Sequence, residues 1–306
     1  MGKASKTTVF KCTVALLALL LFGRPLPVLA QPAGQIAARF SAEQIAAIAR
    51  EAEQAAAEIL ESTGGSAVSV ALGDGDGLLW SGQYGFADKD ARAAPKTETM
   101  FGIGSTSKMF ATAATMILVD RGLVNLDARL IDYLPNFRMA SPGYEKITVR
   151  MLLNHSAGFP GSDYRNAMMR APGEGYPEQV LATLADSRLK HEPGWMSVYA
   201  NDGFTLVELL VKAMTGMEFT EFVDREILKP LGMEHSKYPL DYFSQGSYAL
   251  TYKENKVQTQ EFLGPLGSGG LYSTPSDLTR FAAISVSKEI PPDAITCSPS
   301  MALSFS

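Results

Sequence analysis

Apolar positions recur along this chain with two spacings, and each spacing predicts an element. Over residues 33–62, Ile36, Phe40, Ile45, Ile48, Ile59 and Leu60 fall at helical intervals in an alanine-rich background. One packing helix is predicted there, broken by Thr63-Gly-Gly65. Residues 67–72 and 78–84 read instead as extended segments around a Gly73-Asp-Gly-Asp-Gly77 turn, which makes a hairpin. A lone hairpin is marginal in water, so these strands are expected to join a larger sheet. Residues 109–119 are apolar at three- and four-residue spacing and rich in helix formers. They predict a buried helix that starts near Ser105 and ends at Asp120-Arg-Gly122. Residues 126–135 read as a short irregular passage. Residues 147–154 predict a helix with Thr148 as N-cap, and residues from about 204 to 214 another, ended by Thr215-Gly216. A last helix, to about residue 284, has Thr274 as N-cap, Pro275 in its first position and Asp277 at N3.

Composition narrows the class without changing that outline. The 306 residues are 46% hydrophobic and carry a formal net charge of −5. That is an ordinary soluble globule, and no basic stripe points to nucleic acid. Lys3, Lys6 and Lys11 precede an apolar run at 12–22 and then Val28-Leu-Ala30, the layout of a Sec-type signal peptide over residues 1–30, cut near Ala30. A periplasmic or secreted protein is expected, with no stable membrane span after cleavage because the apolar core is too short. Of Cys12 and Cys297 only the second survives that cut, so no internal disulfide is expected.

The chemistry concentrates at Gly102-Ile-Gly-Ser-Thr-Ser-Lys108. Residues three apart on a helix are neighbours, so the Ser105 hydroxyl and the Lys108 amine come within reach of each other. A lysine at a helix start opposes the macrodipole, and one followed by an apolar run is partly buried; local rules are broken this way at functional places. Ser-x-x-Lys recurs at Ser187/Lys190, beside Arg188, and at Ser285/Lys288, which runs into Glu289 and Pro291-Pro292. Only Ser105 opens a long apolar helix. Tyr199 and Asn201 alternate with Ala200, so in an extended loop a phenol and an amide share one wall. A tyrosine ahead of a helix capped by Asn201 or Asp202 reads the same way. His155 reads as a loop residue bonded to backbone, because no Gly-x-Ser-x-Gly elbow exists to pair with it. His191 and His235 lack metal-ligand spacing, and neither a metal nor another cofactor is expected.

In order and spacing, these pieces resemble the serine β-lactamase and penicillin-binding-protein-like hydrolases, on the side of the class C β-lactamases, D-Ala-D-Ala carboxypeptidases, D-aminopeptidases and related esterases. The resemblance rests on Gly82-Gln-Tyr-Gly-Phe-Ala-Asp88, Met100-Phe-Gly-Ile-Gly-Ser-Thr-Ser-Lys108 and Ile147-Thr-Val-Arg-Met-Leu-Leu-Asn-His-Ser-Ala-Gly158. It continues through Glu192-Pro-Gly194, Tyr199-Ala-Asn201, Leu228-Lys-Pro-Leu-Gly-Met233 and Gly269-Gly-Leu-Tyr-Ser-Thr-Pro-Ser-Asp-Leu278. It implies an α+β fold with a helical lobe beside an antiparallel sheet flanked by helices. It further implies Ser105 as the acylated nucleophile, Lys108 and Tyr199 as the groups that take and return its proton, and Asn201 as the substrate-binding amide. The implied partner is a small-molecule or peptide substrate: a β-lactam, a D-amino-acid peptide amide or a small ester. The family's third motif, Lys-Thr-Gly or His-x-Gly on a later strand, does not occur after Ser273, and Gly267-Ser-Gly269 stands in the wrong place for it. The C-terminal strands of the sheet are therefore expected to be missing, with an incomplete hydrolase domain over 31–290 and an irregular tail over 291–306. Two outcomes stay open, an exported serine hydrolase or a catalytically impaired, shortened relative.

Overall fold

The computed structural model describes residues 40–286 apart from Asp76, Arg170, Pro172 and Glu174. The signal peptide expected over 1–30, the first part of the 33–62 helix, Lys288 of the third Ser-x-x-Lys pattern and the 291–306 tail lie outside the described residues. Every element from α1 onward belongs to one compact unit that begins at Ala42.

Helix α1, Ala42–Thr63, buries only Ala56 along its length, as suits an alanine-rich helix laid on a surface. Strands β1, Ala67–Asp74, and β2, Gly77–Gly85, pair antiparallel from Ala67↔Gly85 to Leu72↔Trp80. The register then shifts to Gly73↔Leu78, a bulge that leaves Leu79 as the extra residue. Among the described residues no third strand joins this pair. Short antiparallel ladders elsewhere tie Phe101–Gly102 to Tyr272–Ser273, Met168–Met169 to Phe262–Leu263 and Tyr252–Lys253 to Lys256–Val257.

The core is helical. Helix α2, Lys108–Asp120, is apolar on nearly every side, and a helix of that kind has to be buried. Phe110, Ala111, Ala114 and Leu118 are at 0% exposure. Helix α3, Leu130–Tyr133, lies inside the passage expected to be irregular. The single turn forms because buried Leu130 is pinned by its amide to Ile147 O at 2.7 Å, a tertiary contact invisible in local pattern. Helix α4, Val149–Leu153, has Thr148 as its N-cap, the side chain accepting from Met151 N. Helix α5, Tyr176–Asp186, and helix α6, Asp202–Thr215, follow. Leu206, Val207, Leu210 and Val211 of α6 are at 0% exposure, and α6 packs against α2, α4 and α5. It starts two residues ahead of the expected Phe204, because Asn201 N donates to Ser162 Oγ at 2.7 Å and the Asp202 carboxylate accepts from Asp163 N at 2.8 Å. Helix α7, Phe219–Val223, and the single turn α8, Leu266–Gly269, also touch α6. Helix α9, Pro275–Val286, is capped by Thr274 Oγ1, which accepts from Asp277 N at 3.1 Å. It lies on β1 and β2, and its Phe281 ring meets Phe110 of α2 at 4.2 Å. The architecture is α+β, as expected. No helix among the described residues is long and apolar enough to cross a membrane.

Candidate active site

The ladder at Phe101–Gly102 delivers the chain to the mouth of α2. Ile103 N donates to Leu271 O at 3.0 Å, and Gly104 then turns the backbone with φ +54°, a conformation glycine adopts without strain. A 3-10 turn over Gly104–Ser107 precedes α2. Buried Ser107 fixes that turn: its Oγ donates to Gly104 O at 2.7 Å and accepts from Leu271 N at 3.0 Å. Ser105 is left exposed at the top of the turn, while Lys108 below it is 8% exposed.

The structure brings the four sequence-predicted residues together. Ser105 Oγ lies 2.6 Å from Tyr199 Oη and accepts from Lys108 Nζ at 3.2 Å. Lys108 Nζ also donates to Asn201 Oδ1 at 2.8 Å and to Ser268 O at 2.7 Å. The rings of Tyr199 and Phe204 stand 4.8 and 5.3 Å from the same nitrogen. Burial among these groups lowers the Lys108 pKa to about 8. The two carbonyl oxygens can only accept. A neutral Lys108 therefore spends its two N–H bonds on Asn201 and Ser268 and turns its lone pair toward Ser105. The same bond with Asn201 Oδ1 leaves the Nδ2 hydrogens of that amide as donors.

Tyr199 and Asn201 do not converge through an extended strand, since Asn201 already has helical φ −68° and ψ −30°. Asn201 occupies the N-cap position of α6, but its side chain serves Lys108 instead of the helix. His155 is bonded to backbone, accepting from Ala200 N at Nδ1 over 3.3 Å. Its carbonyl takes Val198 N at 2.9 Å, and its ring lies 4.4 Å from that of Tyr199. Desolvation, and then the nearby Lys108 charge, lower the His155 pKa. The histidine expected to be a loop residue bonded to backbone is one, through Val198 N and Ala200 N, and its ring also braces that of Tyr199.

The Ser268 carbonyl is the other group that sequence reasoning missed. Gly267-Ser-Gly269 is a helical turn, not a strand, and it enters the site through its backbone. The second Ser-x-x-Lys pattern builds nothing comparable, its Ser187 Oγ donating to Thr183 O at 2.8 Å. Among the described residues no group of three or more His, Cys, Asp or Glu side chains is placed to hold a metal ion.

The sequence model described as Beta-lactamase matches residues 52–296. The chain belongs to the beta-lactamase family. Within that family it is 26% identical over 238 residues to penicillin-binding protein 4* of Bacillus subtilis, covering 70% of this chain and 51% of the relative. It is 26% identical over 226 residues to the D-alanyl-D-alanine-carboxypeptidase/endopeptidase AmpH of Escherichia coli, covering 73% and 58%. The chain thus spans little more than half the length of these curated relatives. A beta-lactamase/D-alanine carboxypeptidase from Pseudomonas syringae superposes with a TM-score of 0.70 at 21% identity, covering 82% of this chain and 69% of that one. That likeness shows the fold. The family expected from the ordered motifs of the sequence is the family found.

Proposed function

We propose that the chain is an exported serine hydrolase that works through an acyl-enzyme at Ser105 on a β-lactam, a D-amino-acid peptide amide or a small ester. In this reading residues 1–30 direct export and 31–290 form the hydrolase domain. The observation that carries it is the single cluster of Ser105, Lys108, Tyr199 and Asn201, with two acceptor-only partners aiming the Lys108 lone pair at the serine hydroxyl. Neutral Lys108, its lone pair facing Ser105 Oγ, takes the serine proton as Oγ bonds to the substrate carbonyl carbon. Tyr199 passes a proton to the leaving nitrogen or oxygen as its bond to that carbon breaks, and Lys108 replaces the proton on Tyr199. Water then cleaves the ester to Ser105. The Ser105 amide lies in a first helical turn, where N–H groups lack intrahelical partners, and it suits the developing oxyanion. Asn201 Nδ2 donates to the substrate amide. The relatives' names, a penicillin-binding protein and a D-alanyl-D-alanine carboxypeptidase, support this range of substrates.

The test is the intact mass of the mature protein after incubation with a penicillin and, separately, with a fluorophosphonate, using Ser105→Ala as control. A covalent adduct present in the native protein and absent from Ser105→Ala is expected. No adduct from a protein shown to be folded rules the nucleophile out and leaves a non-catalytic family member.

A further inference from the structure

Helix α6 reaches Lys108 twice. Asn201, at its N-cap, takes one N–H of the amine directly, and Glu208, two turns on, faces the Leu266–Gly269 turn. Glu208 is 5% exposed on a helix that also buries the apolar Phe204, Leu206, Val207, Leu210 and Val211, with Asp202 and Thr205 its other buried polar side chains. An acid in such apolar surroundings is costly unless it is hydrogen-bonded. Its Oε1 accepts from Gly267 N at 2.9 Å, and the next residue, Ser268, gives its carbonyl to Lys108 Nζ at 2.7 Å. The turn is seated tightly on α6. A Cβ at Gly267 would stand 3.0 Å from Glu208 Cγ and 3.0 Å from Phe204 O.

We propose that Glu208 is a positioning residue for Lys108: its carboxyl holds the Gly267 amide, and through that turn it sets the Ser268 carbonyl against the lysine nitrogen. Lys108 is thereby gripped from one helix by two routes, and its remaining valence is directed at Ser105. The titratable groups that reach Glu208 are Tyr176 and Glu178 of α5, Glu218 ahead of α7, and Tyr238. Burial pushes the Glu208 carboxyl up to about 8, so near neutral pH it accepts the Gly267 N–H as an uncharged acid. An amide oxygen can do the same.

Glu208 matters to catalysis only if Lys108 is the base, so two readouts keep the questions apart. One is the rate of Ser105 adduct formation with a fluorophosphonate, resolved into a maximal rate and a half-saturating concentration. The other is the titration of Lys108 itself, followed by NMR in the full chain carrying 13C at lysine Cε. Glu208→Gln keeps an acceptor and is expected to hold the maximal rate within about twofold and leave the Lys108 midpoint in place. Glu208→Met keeps the volume without an acceptor. It is expected to cut the maximal rate roughly tenfold or more at unchanged half-saturation, and to move the Lys108 midpoint down as the ammonium loses a partner. A folded Glu208→Met protein with native rate and native Lys108 titration overturns the proposal. So does a folded Glu208→Gln protein that has lost both, since the acid and not the acceptor would then be needed; this variant decides alone if Glu208→Met does not fold. Should the native protein form no adduct, the nucleophile assignment fails, and the Lys108 midpoints of the two variants still decide the role of Glu208.

Discussion

The α2–α6 core and the β1–β2 hairpin are packed to different depths. Phe110 and Leu118 of α2 and Leu206 and Leu210 of α6 are at 0% exposure, whereas every described hairpin residue is half-buried or exposed. The buried half of the candidate site belongs to the deeper region, where Lys108 begins α2, Asn201 precedes α6 and Ser268 lies on the turn seated against both, while Ser105 and Tyr199 stand exposed above it. A rigid support of this kind is what positioned chemistry requires, because groups held to within a fraction of an ångström are held by packed neighbours. The same burial works against the lysine. Desolvation disfavours its charged form, and three hydrogen bonds offset that cost, so what makes Lys108 awkward for the core is also what would suit it to the proposed role of base near neutral pH.

Replacing Lys108 with methionine gives the largest expected effect and separates those two roles. Loss of the proton-transfer group is expected to slow adduct formation at Ser105 by about 10²–10⁴-fold. Met fills a similar volume but leaves Asn201 Oδ1 and Ser268 O without their donor, so a stability loss of about 1–3 kcal/mol is expected. Inactivation kinetics and denaturant unfolding on the same sample check both halves. A Lys108→Met protein that loses stability as heavily as activity would make the lysine a structural member of the core.

The next effect is pH dependence. In the proposed reaction the base is deprotonated Lys108, and burial brings its pKa from 10.5 down to about 8. Adduct formation should therefore rise about tenfold per pH unit from 6 towards 8 and level off above that value. The sign is opposite to that of a reaction needing the ammonium. Circular dichroism held constant across the range would assign the rise to titration and not to refolding. A flat profile would break the link between burial and reactivity in this core.

Stability separates the two regions more directly. Leu210→Ala, at a fully buried position of α6, is expected to cost about 2–5 kcal/mol. Val70→Ala in half-buried β1 is expected to cost about 1 kcal/mol or less and to leave adduct formation unchanged. Denaturant melts of the two variants test this, and equal costs would mean that the hairpin is as much a part of the core as α6.

Elements of both regions were legible in sequence, though not evenly. The apolar run after Ser105, the Thr148 and Thr274 caps and the hairpin turn all have local signatures, and each element lies where its pattern put it. Lys108 stood out because it violated the pattern around it. The partners that aim it were hidden for a physical reason. The Ser268 acceptor is a backbone carbonyl, which any residue type supplies, and it lies 160 positions from Lys108. Its anchor Glu208 sits within an apolar helix and offers no spacing that points to Gly267. His155 had the right residue type for chemistry, but only the fold stacks it on Tyr199, and the single turn at Leu130–Tyr133 likewise depends on a contact with Ile147. The larger sheet expected around the hairpin is not found among the described residues, where β1 and β2 are flanked by α1 and α9.

Helix α9 is the joint between the two regions, since it lies along the hairpin while its Phe281 ring meets Phe110 of α2. Its start depends on Thr274, whose hydroxyl accepts from Asp277 N. The Asp277 carboxylate in turn accepts from His235 N and Ser236 Oγ, both at 2.8 Å. Thr274→Ala removes the cap, and about 0.5–2 kcal/mol of stability should go with it. Thr274→Ser, which restores the hydroxyl, should recover most of the loss. If the core stands apart from the hairpin, hydrogen exchange in Thr274→Ala should quicken in α9 and β1 while α2, α6 and the adduct rate at Ser105 stay as they were. Exchange that quickens equally in α2 and α6, with slower acylation, would show that the joint transmits and that the two regions unfold as one body.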